Sequence, residues 1–410
     1  MSNQASPGQS GIIDAIVRYN AGRDPERLFM KYAKMAQNPF IFLRGACHLF
    51  YESLPDAPLF RGAPLAWCCG DLHFENFGSY KGDNRQVYFD INAYDEASLA
   101  PVTWDMVRLL TSIQCGADAI KATRAEALAA SQSCLDAYRE ALIKGKPLWV
   151  ERETSSGLVK ELLTALQELD RAAFLDKRTI RKGRQRSLKL DGAKALPASA
   201  AQKQLVGEFM ARFAATQLDP KFFQVLDIGC RIAGTGSLGL ERFVVLVEGK
   251  GSPDGNYLID IKEARPSALA PHLARLGIGQ PAWADEAARV VAIQERMQAI
   301  DHAFLHPVML GGVPCILKDL QASEDRVAIG EWGKKFDRLK NVVATMGRIV
   351  AWDQLRASGR SGSASADELG AFAHHDEWVT GMLDAATEMT VTTQQQWKIF
   401  TGARAGNAVD

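Results

Sequence analysis

The chain has 410 residues, and its 48 lysines and arginines equal its 48 aspartates and glutamates in number. This length suits two or three domains or one two-lobed unit, and the zero net charge predicts neither nucleic acid nor a membrane as a partner. No apolar run approaches the roughly 20 residues that span a bilayer. The N-terminus lacks the charged and apolar regions of a secretion signal. Seven scattered cysteines without a Cys-x-x-Cys pair indicate reduced thiols and a cytoplasmic protein.

Hydrophobic periodicity predicts a mainly helical first part of the chain with a short pair of strands inside it. Helical spacing of apolar residues covers 11–37, resumes after Pro39 and returns over 104–167. Residues 64–69 and 86–91 have the composition of buried strands, and a turn precedes the second of them. The first of these strands leads directly into the Gly-Asp segment that follows it.

The second part of the chain begins with a basic run over 177–193. We expect a solvated loop there, with a lid or rim that attracts a phosphorylated substrate as the alternative. The elements predicted after it are a helix over 198–217, strands over 222–227, 243–248 and 257–263, a helix over 284–305, a strand over 313–320, and helices interrupted at 359–365. This order predicts a strand-rich region between two helical ones.

The segment Cys-Gly-Asp-Leu-His-Phe-Glu-Asn-Phe-Gly at 69–78 directly follows the first predicted strand. An aspartate and an asparagine five positions apart, with a carboxylate at the end of a short apolar strand, are the minimum that metal-assisted phosphoryl transfer requires. Asp71 is suited to orient or deprotonate an attacking hydroxyl group. Asn76 and Asp90 are suited to hold the Mg²⁺ that neutralises phosphate charge.

A glycine-rich segment, Gly-Thr-Gly-Ser-Leu-Gly at 234–239, lies between two predicted strands. A dinucleotide-binding turn needs a helix after its glycines, but β-branched residues follow here, so we expect a hairpin. Small residues let backbone N–H groups approach triphosphate oxygens, and Lys262 on the third strand supplies a cation for the inner phosphates. The loop residues predicted to contact the nucleotide are Gly234, Thr235, Gly236, Ser237 and Gly239.

Lys262 needs a carboxylate to position it in such a site. The helix predicted after the third strand offers Glu286 and Glu295. Its apolar stripe puts Glu286 nearer the buried face. The sequence does not choose between the two glutamates, and both stay candidates.

Two resemblances bear on these motifs. Residues 70–76 are similar to the catalytic loop of the aminoglycoside phosphotransferase and choline kinase branch of the protein-kinase-like fold. From about residue 30 to 320, the chain more closely resembles a bacterial family known as domain of unknown function 2252. The segments that match are Phe-Ile-Phe-Leu-Arg-Gly (40–45), residues 69–78, Phe-Asp-Ile-Asn-Ala-Tyr-Asp-Glu-Ala (89–97), Trp-Asp-Met-Val-Arg-Leu (104–109), residues 234–239, Ile-Lys-Glu-Ala-Arg (261–265) and Arg-Val-Val (289–291).

The resemblance implies an α+β, two-lobed, protein-kinase-like fold. In an ordinary kinase the glycine loop and the lysine precede the catalytic loop, but here they follow it by more than 150 residues. A circular permutation is therefore implied. The predicted parts are a mainly helical catalytic lobe (1–217), a β-rich nucleotide-binding lobe (218–325) and C-terminal helices (326–410) that pack back on the first lobe.

The resemblance also implies roles for single residues. His73 resembles the loop histidine of the aminoglycoside kinase branch and is expected to order the loop. The family pattern Asp-x-Asn-Asp-Phe-Asp-Glu is broken at Ala93. We expect Asp90, at the end of its strand, to bind the metal, with Asp95 as the second candidate. Asp105 resembles the helix aspartate that holds the catalytic loop in kinase-like folds, although a plain N-terminal helix carboxylate fits equally well.

The leading hypothesis is an enzyme, an ATP- and Mg²⁺-dependent phosphotransferase or nucleotidyl transferase that acts on an unidentified hydroxyl acceptor. The alternative from another class is a nucleotide-binding pseudokinase that serves as a switch or scaffold, and Ala93 is its support in the sequence. A metallophosphoesterase with Asp71 and His73 as metal ligands is the third hypothesis. It needs further ligands, for which the chain offers a pair spaced for one helix face, His302 and His306, and the adjacent pair at 374–375.

Overall fold

The computed structural model describes residues 9–320 and 325–405. The segment used to predict the absence of a secretion signal (1–8) lies outside the described residues, as do residues 406–410. The described chain contains many helices and several antiparallel sheets, which is consistent with the predicted α+β class. None of its described helices combines the length and the apolar character that crossing a bilayer requires.

Helices dominate both ends of the described chain. They are α1 (Gln9–Tyr19), α2 (Pro25–Met35), α3 (Pro39–Gly45), α4 (Cys47–Glu52), α5 (Pro58–Arg61), α6 (Thr103–Cys115), α7 (Arg124–Lys144), α8 (Gly157–Gln167), α9 (Arg171–Asp176), α10 (Ala200–Ala215), α11 (Ala270–Arg275), α12 (Glu286–Met297), α13 (Phe336–Arg356), α14 (Ala366–His374) and α15 (Glu377–Ala405). Local chemistry sets several of their starts. Asp24 and Asn38 cap α2 and α3, and each cap is followed by a proline at the first helical position.

The strands form one large sheet and three short pairs. They are β1 (Leu65–Cys68), β2 (Phe77–Lys81), β3 (Val87–Ile91), β4 (Ser98–Pro101), β5 (Thr179–Lys182), β6 (Gln185–Leu188), β7 (Ala195–Pro197), β8 (Val225–Arg231), β9 (Arg242–Val247), β10 (Tyr257–Glu263), β11 (His306–Leu310) and β12 (Val313–Asp319). The six-stranded sheet has the order β11-β12-β10-β9-β8-β7, with antiparallel neighbours throughout. The pairs are β1 with β4, β2 with β3 and β5 with β6.

Alternation along the strands gives the large sheet two different faces. On one face, apolar side chains such as Val245 and Ile259 pack against α10. On the other, Arg242, Asp260 and Lys262 point into a cavity. The sheet therefore buries one face and presents charged side chains on the other.

The C-terminal helices pack against the helices of the first part of the chain. Helix α13 lies along α7, and α15 packs against α6 and α3. Buried aromatic side chains, including Trp67, Trp104 and Trp332, fill this core. The core surrounds β1 and α6, the two elements that hold the 69–78 segment.

Three predicted elements differ from the structure. The helix predicted over 284–305 ends at Met297, because Gln298 leaves the helix and donates its side-chain N–H to Ile91 O at 2.8 Å. The start of the strand predicted over 222–227 is a 3₁₀ turn (Pro220–Phe223), which Asp219 caps. The basic run contains the β5–β6 hairpin rather than an unstructured loop, since Gly183 with φ +61° provides its turn.

Candidate functional site

One cavity of about 870 Å³ separates the 69–78 segment from the six-stranded sheet. Asp71, His73 and Asn76 line it on the helical side, and the glycine loop (residues 232–241) and the inner face of β9, β10 and β12 line it on the other. Thirteen lysines and arginines face this cavity, against six aspartates and glutamates. Since the chain as a whole has no net charge, positive charge is concentrated here and favours an anionic ligand.

The backbone before Asp71 is held by a buried carboxylate from α6. Asp105 accepts the N–H of Cys69 at 2.8 Å and that of Gly70 at 2.9 Å, one with each oxygen. Burial raises the pKa of Asp105 to about 6, although these hydrogen bonds oppose the rise. Gly70 has a φ of +83°, and a Cβ there would lie 2.5 Å from Glu96 O. The structure thus decides between the two roles predicted for Asp105, because it holds this loop.

The Asp71 carboxylate is fixed by Arg108, one turn further along α6. Arg108 donates Nε to Asp71 Oδ1 at 3.1 Å and also contacts that oxygen through Nη2. The Arg108 side chain is fully buried, whereas that of Asp71 is 25% exposed. The second oxygen, Oδ2, lies 3.9 Å from where a Cβ on Gly236 would stand. Burial raises the pKa of Asp71 despite the attraction of Arg108, a direction that suits a proton acceptor.

Asn76 joins the Asp71 loop to the segment that follows β3. Its Nδ2 donates to Asp71 O at 3.3 Å and to Ala93 O at 3.2 Å. This orientation leaves the side-chain Oδ1 as an acceptor. Because Ala93 contributes its carbonyl, the bond to Asn76 does not depend on the side chain at that position.

Between β8 and β9, the glycine loop forms the hairpin connection that the sequence predicted, and no helix follows it. Gly234 and Gly239 have φ values of +70° and +89°, a conformation that favours glycine. Gly234, Thr235, Gly236 and Ser237 line the cavity. Gly239 instead packs against Arg23, whose Cβ would lie 2.8 Å from a Cβ at this position.

Three buried cations from residues 23–31 hold the glycine loop by its carbonyl groups. The bonds are Arg23 Nη1 to Gly236 O (2.6 Å) and Leu238 O (2.8 Å), Arg27 Nη1 to Leu240 O (2.8 Å), and Lys31 Nζ to Gly236 O (3.1 Å). Lys31 is fully buried, and burial holds its pKa well below the usual range. The loop is therefore packed onto α2 rather than free in solvent.

The carboxylate that positions Lys262 is Asp95. The Lys262 Nζ and Asp95 Oδ2 atoms lie 2.5 Å apart. Burial acts to raise the pKa of Asp95, but the charge of Lys262 and its hydrogen bond outweigh burial, so this pKa is lowered. The structure brings neither predicted glutamate to Lys262. Glu286 pairs with Arg289 at 2.6 Å, and Glu295 is exposed.

The position of α12 explains why neither glutamate pairs with Lys262. Arg289 of α12 donates to Asp95 O at 2.9 Å and to Arg265 O at 3.0 Å, and it also contacts Ala97 O. The helix thus supports the backbone of the segment that contains the partner of the lysine. It does not supply the partner itself.

A second cluster of charges lies beside Lys262 on the sheet. Asp260 accepts two hydrogen bonds from Arg242, at 2.9 and 2.6 Å, and contacts Arg231 at 2.5 Å. Lys318 stands opposite Asp260 on β12, and burial lowers the pKa of Lys318 to about 8. With Lys262 and Asp95, four cations face two carboxylates, which leaves an excess of positive charge on the sheet.

Asp90 is not among the cavity residues. Strand alternation turns its side chain toward α13, where its carboxyl faces that of Asp353. Burial raises the pKa of Asp90 to about 6 and raises that of Asp353 well above its usual value, with Asp90 contributing to the latter rise. Of the two predicted metal-binding aspartates, Asp95 is therefore the one that faces the cavity.

His73 lines the cavity on the helical side. Its ring is buried edge-on against Phe40, 6.0 Å between centroids, and its Nδ1 has no hydrogen-bond partner. Burial lowers the pKa of His73, and Arg44 adds to this, so the ring is neutral at pH 7. Of the two histidine pairs noted in the sequence, His302 and His306 do not share a helix face, since His306 lies on β11. In the described chain, no group of three or more His, Cys, Asp or Glu side chains is arranged to hold a metal ion.

A model of the family described as "uncharacterized protein conserved in bacteria (DUF2252)" matches residues 23–403. The chain belongs to this family. The matched residues include both loops of the cavity, α12 and most of the C-terminal helices. No curated protein and no solved structure gives a significant match to the chain.

Sequence reasoning missed several residues that this DUF2252 protein places around the cavity. They are Arg23, Lys31, Arg108, Arg231, Arg242, Arg289, Lys318 and Arg326. One of them had a usable signal, because Arg108 stands three positions after Asp105 on one helix, a spacing that puts both side chains on the same face. The others occur singly along the chain, where a lone cation is most often a surface residue.

Proposed function

We propose that this protein binds ATP with Mg²⁺ and transfers a phosphoryl group, or a nucleotidyl group in a close variant, to a hydroxyl acceptor. The observation that favours this most is the Lys262–Asp95 pair beneath a glycine hairpin, across the cavity from the Asp71 loop. A lysine on a strand, a carboxylate and a glycine loop are the parts that kinase-like phosphotransferases use. A cytoplasmic location belongs to the proposal on the evidence of cysteine usage.

The proposed fold is kinase-like and circularly permuted. In support, the helical part with its Asp71 loop comes first in the chain, and the sheet with the glycine loop and Lys262 comes second. The backbone bonds from Asp105 to the Asp71 loop are a further feature in common with such folds. The contacts of α13 and α15 with α7 and α6 return the end of the chain to the first part, as this permutation requires.

The sheet is proposed to bind the triphosphate. Lys262 and Lys318, with the arginines around Asp260, provide the positive charge, and the glycine loop provides close backbone approach. Asn76 Oδ1 and Asp95 would hold Mg²⁺, which commonly takes one or two carboxylates and completes its shell with phosphate and water oxygens. When bound, the metal neutralises charge on the phosphate oxygens.

Asp71 is proposed to act on the acceptor. Arg108 holds Oδ1 and so fixes the carboxylate plane, while Oδ2 stays directed at the space below Gly236. A carboxylate with a raised pKa in this position can accept the hydroxyl proton as the acceptor oxygen bonds to phosphorus and the bond from phosphorus to the ADP oxygen breaks. We expect Asp71→Asn to lose transfer and to keep nucleotide binding.

A nucleotide-binding pseudokinase is the second candidate. The observation in its favour is Ala93, which lines the cavity where the family pattern has an aspartate. A protein of this kind binds ATP and Mg²⁺ without transfer to any acceptor. Turnover by the intact protein would therefore exclude it.

The first experiment is thermal unfolding with and without ATP and Mg²⁺. At a ligand concentration of 100 times Kd we expect a stabilisation of about 2.7 kcal/mol, dependent on the metal and lost in Lys262→Ala and Asp95→Asn. Lys250→Ala changes an exposed lysine in the turn between β9 and β10 and serves as the matched control. Absence of any stabilisation of the intact protein would overturn the nucleotide proposal.

A further inference from the structure

A second group of cations lies beside Asp71 on the helical side of the cavity. Lys34, Arg44 and Arg326 come from three separate parts of the chain, and all three line the cavity. Arg44 and Arg326 share one carboxylate oxygen, Glu75 Oε2, at 2.6 and 3.1 Å. Burial lowers the pKa values of Lys34 and Arg326, and Arg44 lowers both further. Arg44 therefore lies close enough to repel both Lys34 and Arg326, and a single carboxylate, Glu75, serves the two arginines.

Arg44 of this group is buried, and Lys34 and Arg326 are partly buried. Arg44 is only 9% exposed, and its Nε has no hydrogen-bond partner. The guanidinium stands over the Phe40 ring, 5.5 Å from its centroid. His73, also buried, adds an unpartnered Nδ1 nearby. A buried donor without an acceptor, in a region of excess positive charge, is the environment that an anion stabilises.

The position of the group relates it to the acceptor. Arg44 O would lie 3.2 Å from a Cβ on Gly236, and Asp71 Oδ2 would lie 3.9 Å from the same point. The cations around Asp260 and Lys262 belong to the sheet, on the opposite wall. Asp71 thus shares the cavity with two cationic groups, and this distribution of charge suits two anions.

We infer that Lys34, Arg44 and Arg326 bind a phosphate group of the acceptor, so that the acceptor is a hydroxyl compound that already bears a phosphate. This inference rests on the proposed function, because it assigns the sheet cluster to the nucleotide. In the reaction the acceptor hydroxyl gives its proton to Asp71 and bonds to the transferred phosphorus, while its own phosphate stays on the arginines. The specificity of the enzyme then comes from charge on the helical wall.

Titration calorimetry with inorganic phosphate tests the inference. The protein is first saturated with Mg²⁺ and a non-hydrolysable ATP analogue, which fills the sheet cluster. We expect one phosphate site, weakened about 10- to 100-fold in Arg326→Gln, since a hydrogen bond to a charged group contributes about 1.5 to 3 kcal/mol. Arg44→Gln should act likewise. Arg265→Gln is the matched control, because Arg265 also lines the cavity but has a carboxylate partner of its own, Glu263 at 2.7 Å, and does not share Glu75.

The outcomes separate the two proposals. Phosphate binding that is equal in the intact protein, Arg326→Gln and Arg44→Gln, or no binding at all to the saturated protein, would overturn the acceptor site. Arg326 is partly exposed and its replacement leaves the core intact, so that variant decides the question if Arg44→Gln does not fold. Loss of analogue binding, with phosphate binding still sensitive to Arg326, would refute the proposed function and leave the anion site standing.

Discussion

Lys262 Nζ lies 2.5 Å from Asp95 Oδ2, and this pair joins β10 to the segment after β3 across 167 residues of sequence. The Lys262 side chain is 13% exposed and that of Asp95 is 33% exposed. Removing either partner leaves the other charge partly buried and unpaired. We therefore expect each single replacement, Lys262→Gln or Asp95→Asn, to lower the free energy of unfolding by about 1 to 3 kcal/mol.

A double-mutant cycle isolates this pair. In urea unfolding without nucleotide, Lys262→Gln with Asp95→Asn should cost less than the sum of the two single changes, with a coupling of about 0.5 to 3 kcal/mol. The exposed pair of Arg61 and Asp56, at 2.7 Å, provides the control cycle, with a coupling near zero. Strictly additive effects at Lys262 and Asp95 would contradict the pairing.

Asp105 gives a second prediction. Asp105→Asn keeps the shape of the side chain, but its amide group must face one of the two backbone N–H donors. We expect the free energy of unfolding to fall by about 2 to 3 kcal/mol, since hydrogen bonds to a buried charge are lost. Asp367→Asn, in the exposed first turn of α14, should change it by less than about 0.5 kcal/mol. Equal small effects from both variants would show that Asp105 does not hold the loop.

The facing carboxyls of Asp90 and Asp353 predict a pH dependence of stability. Burial raises both pKa values, so the folded state binds protons more tightly than the unfolded state does. The stability that comes from this pair is fully present below the unfolded pKa near 4 and is lost as pH rises through about 6, the value for Asp90. This pair should therefore make the free energy of unfolding decrease as the pH rises from 4 to 7.

Asp90→Asn tests the origin of that slope. The variant cannot ionise at position 90, and its amide oxygen can still accept the N–H of Ile91, which the aspartate accepts at 2.7 Å. The stability of this variant, measured by chemical unfolding between pH 4 and 7, should fall less steeply with pH than that of the intact protein. Asp384→Asn changes an exposed carboxylate on α15 and should leave the slope unchanged. Identical slopes for the intact protein and Asp90→Asn would exclude the carboxyl pair as its cause.

Gly239 gives a prediction about the glycine loop. A Cβ at this position meets Arg23 Cβ at 2.8 Å and requires a φ of +89°. Gly277 has a similar φ of +70° with open space around it, so Gly277→Ala measures backbone strain alone. Gly239→Ala should cost about 1 kcal/mol more than Gly277→Ala in thermal or urea unfolding, and it should weaken ATP binding as well. Equal losses of unfolding free energy in the two variants would mean that Arg23 moves away from the new Cβ at no measurable cost.

Much of the sheet could be predicted from local sequence. The strands β9, β10 and β12 have dense β-branched and apolar residues, and residues 232–241 have the glycines that a tight connection needs. The order of these segments also placed Lys262 on a strand beside the glycine loop. Such features depend on neighbours in sequence, where periodicity and turn chemistry are informative.

The contacts across the cavity could not be predicted in this way. Sequence proximity favours Glu286 and Glu295 as partners of Lys262, because they lie in the next helix, whereas Asp95 lies in an irregular segment far earlier in the chain. The place of Asp90 at a strand end favours it over Asp95 as a metal ligand, but strand alternation directs its side chain toward α13. Partners from distant segments are set by tertiary packing, which a single sequence does not encode as a pattern.

The bonds from Arg23, Arg27 and Lys31 to the glycine loop affect how the protein folds. They connect residues more than 200 positions apart, so the β8–β9 hairpin can pair locally before its loop takes a final shape. On the ribosome the N-terminal helices emerge long before the carbonyl groups that their cations bind. The surface that the glycine loop presents to the cavity is therefore a late product of folding, and a fragment that retained the whole sheet but began after Lys31 would lack it.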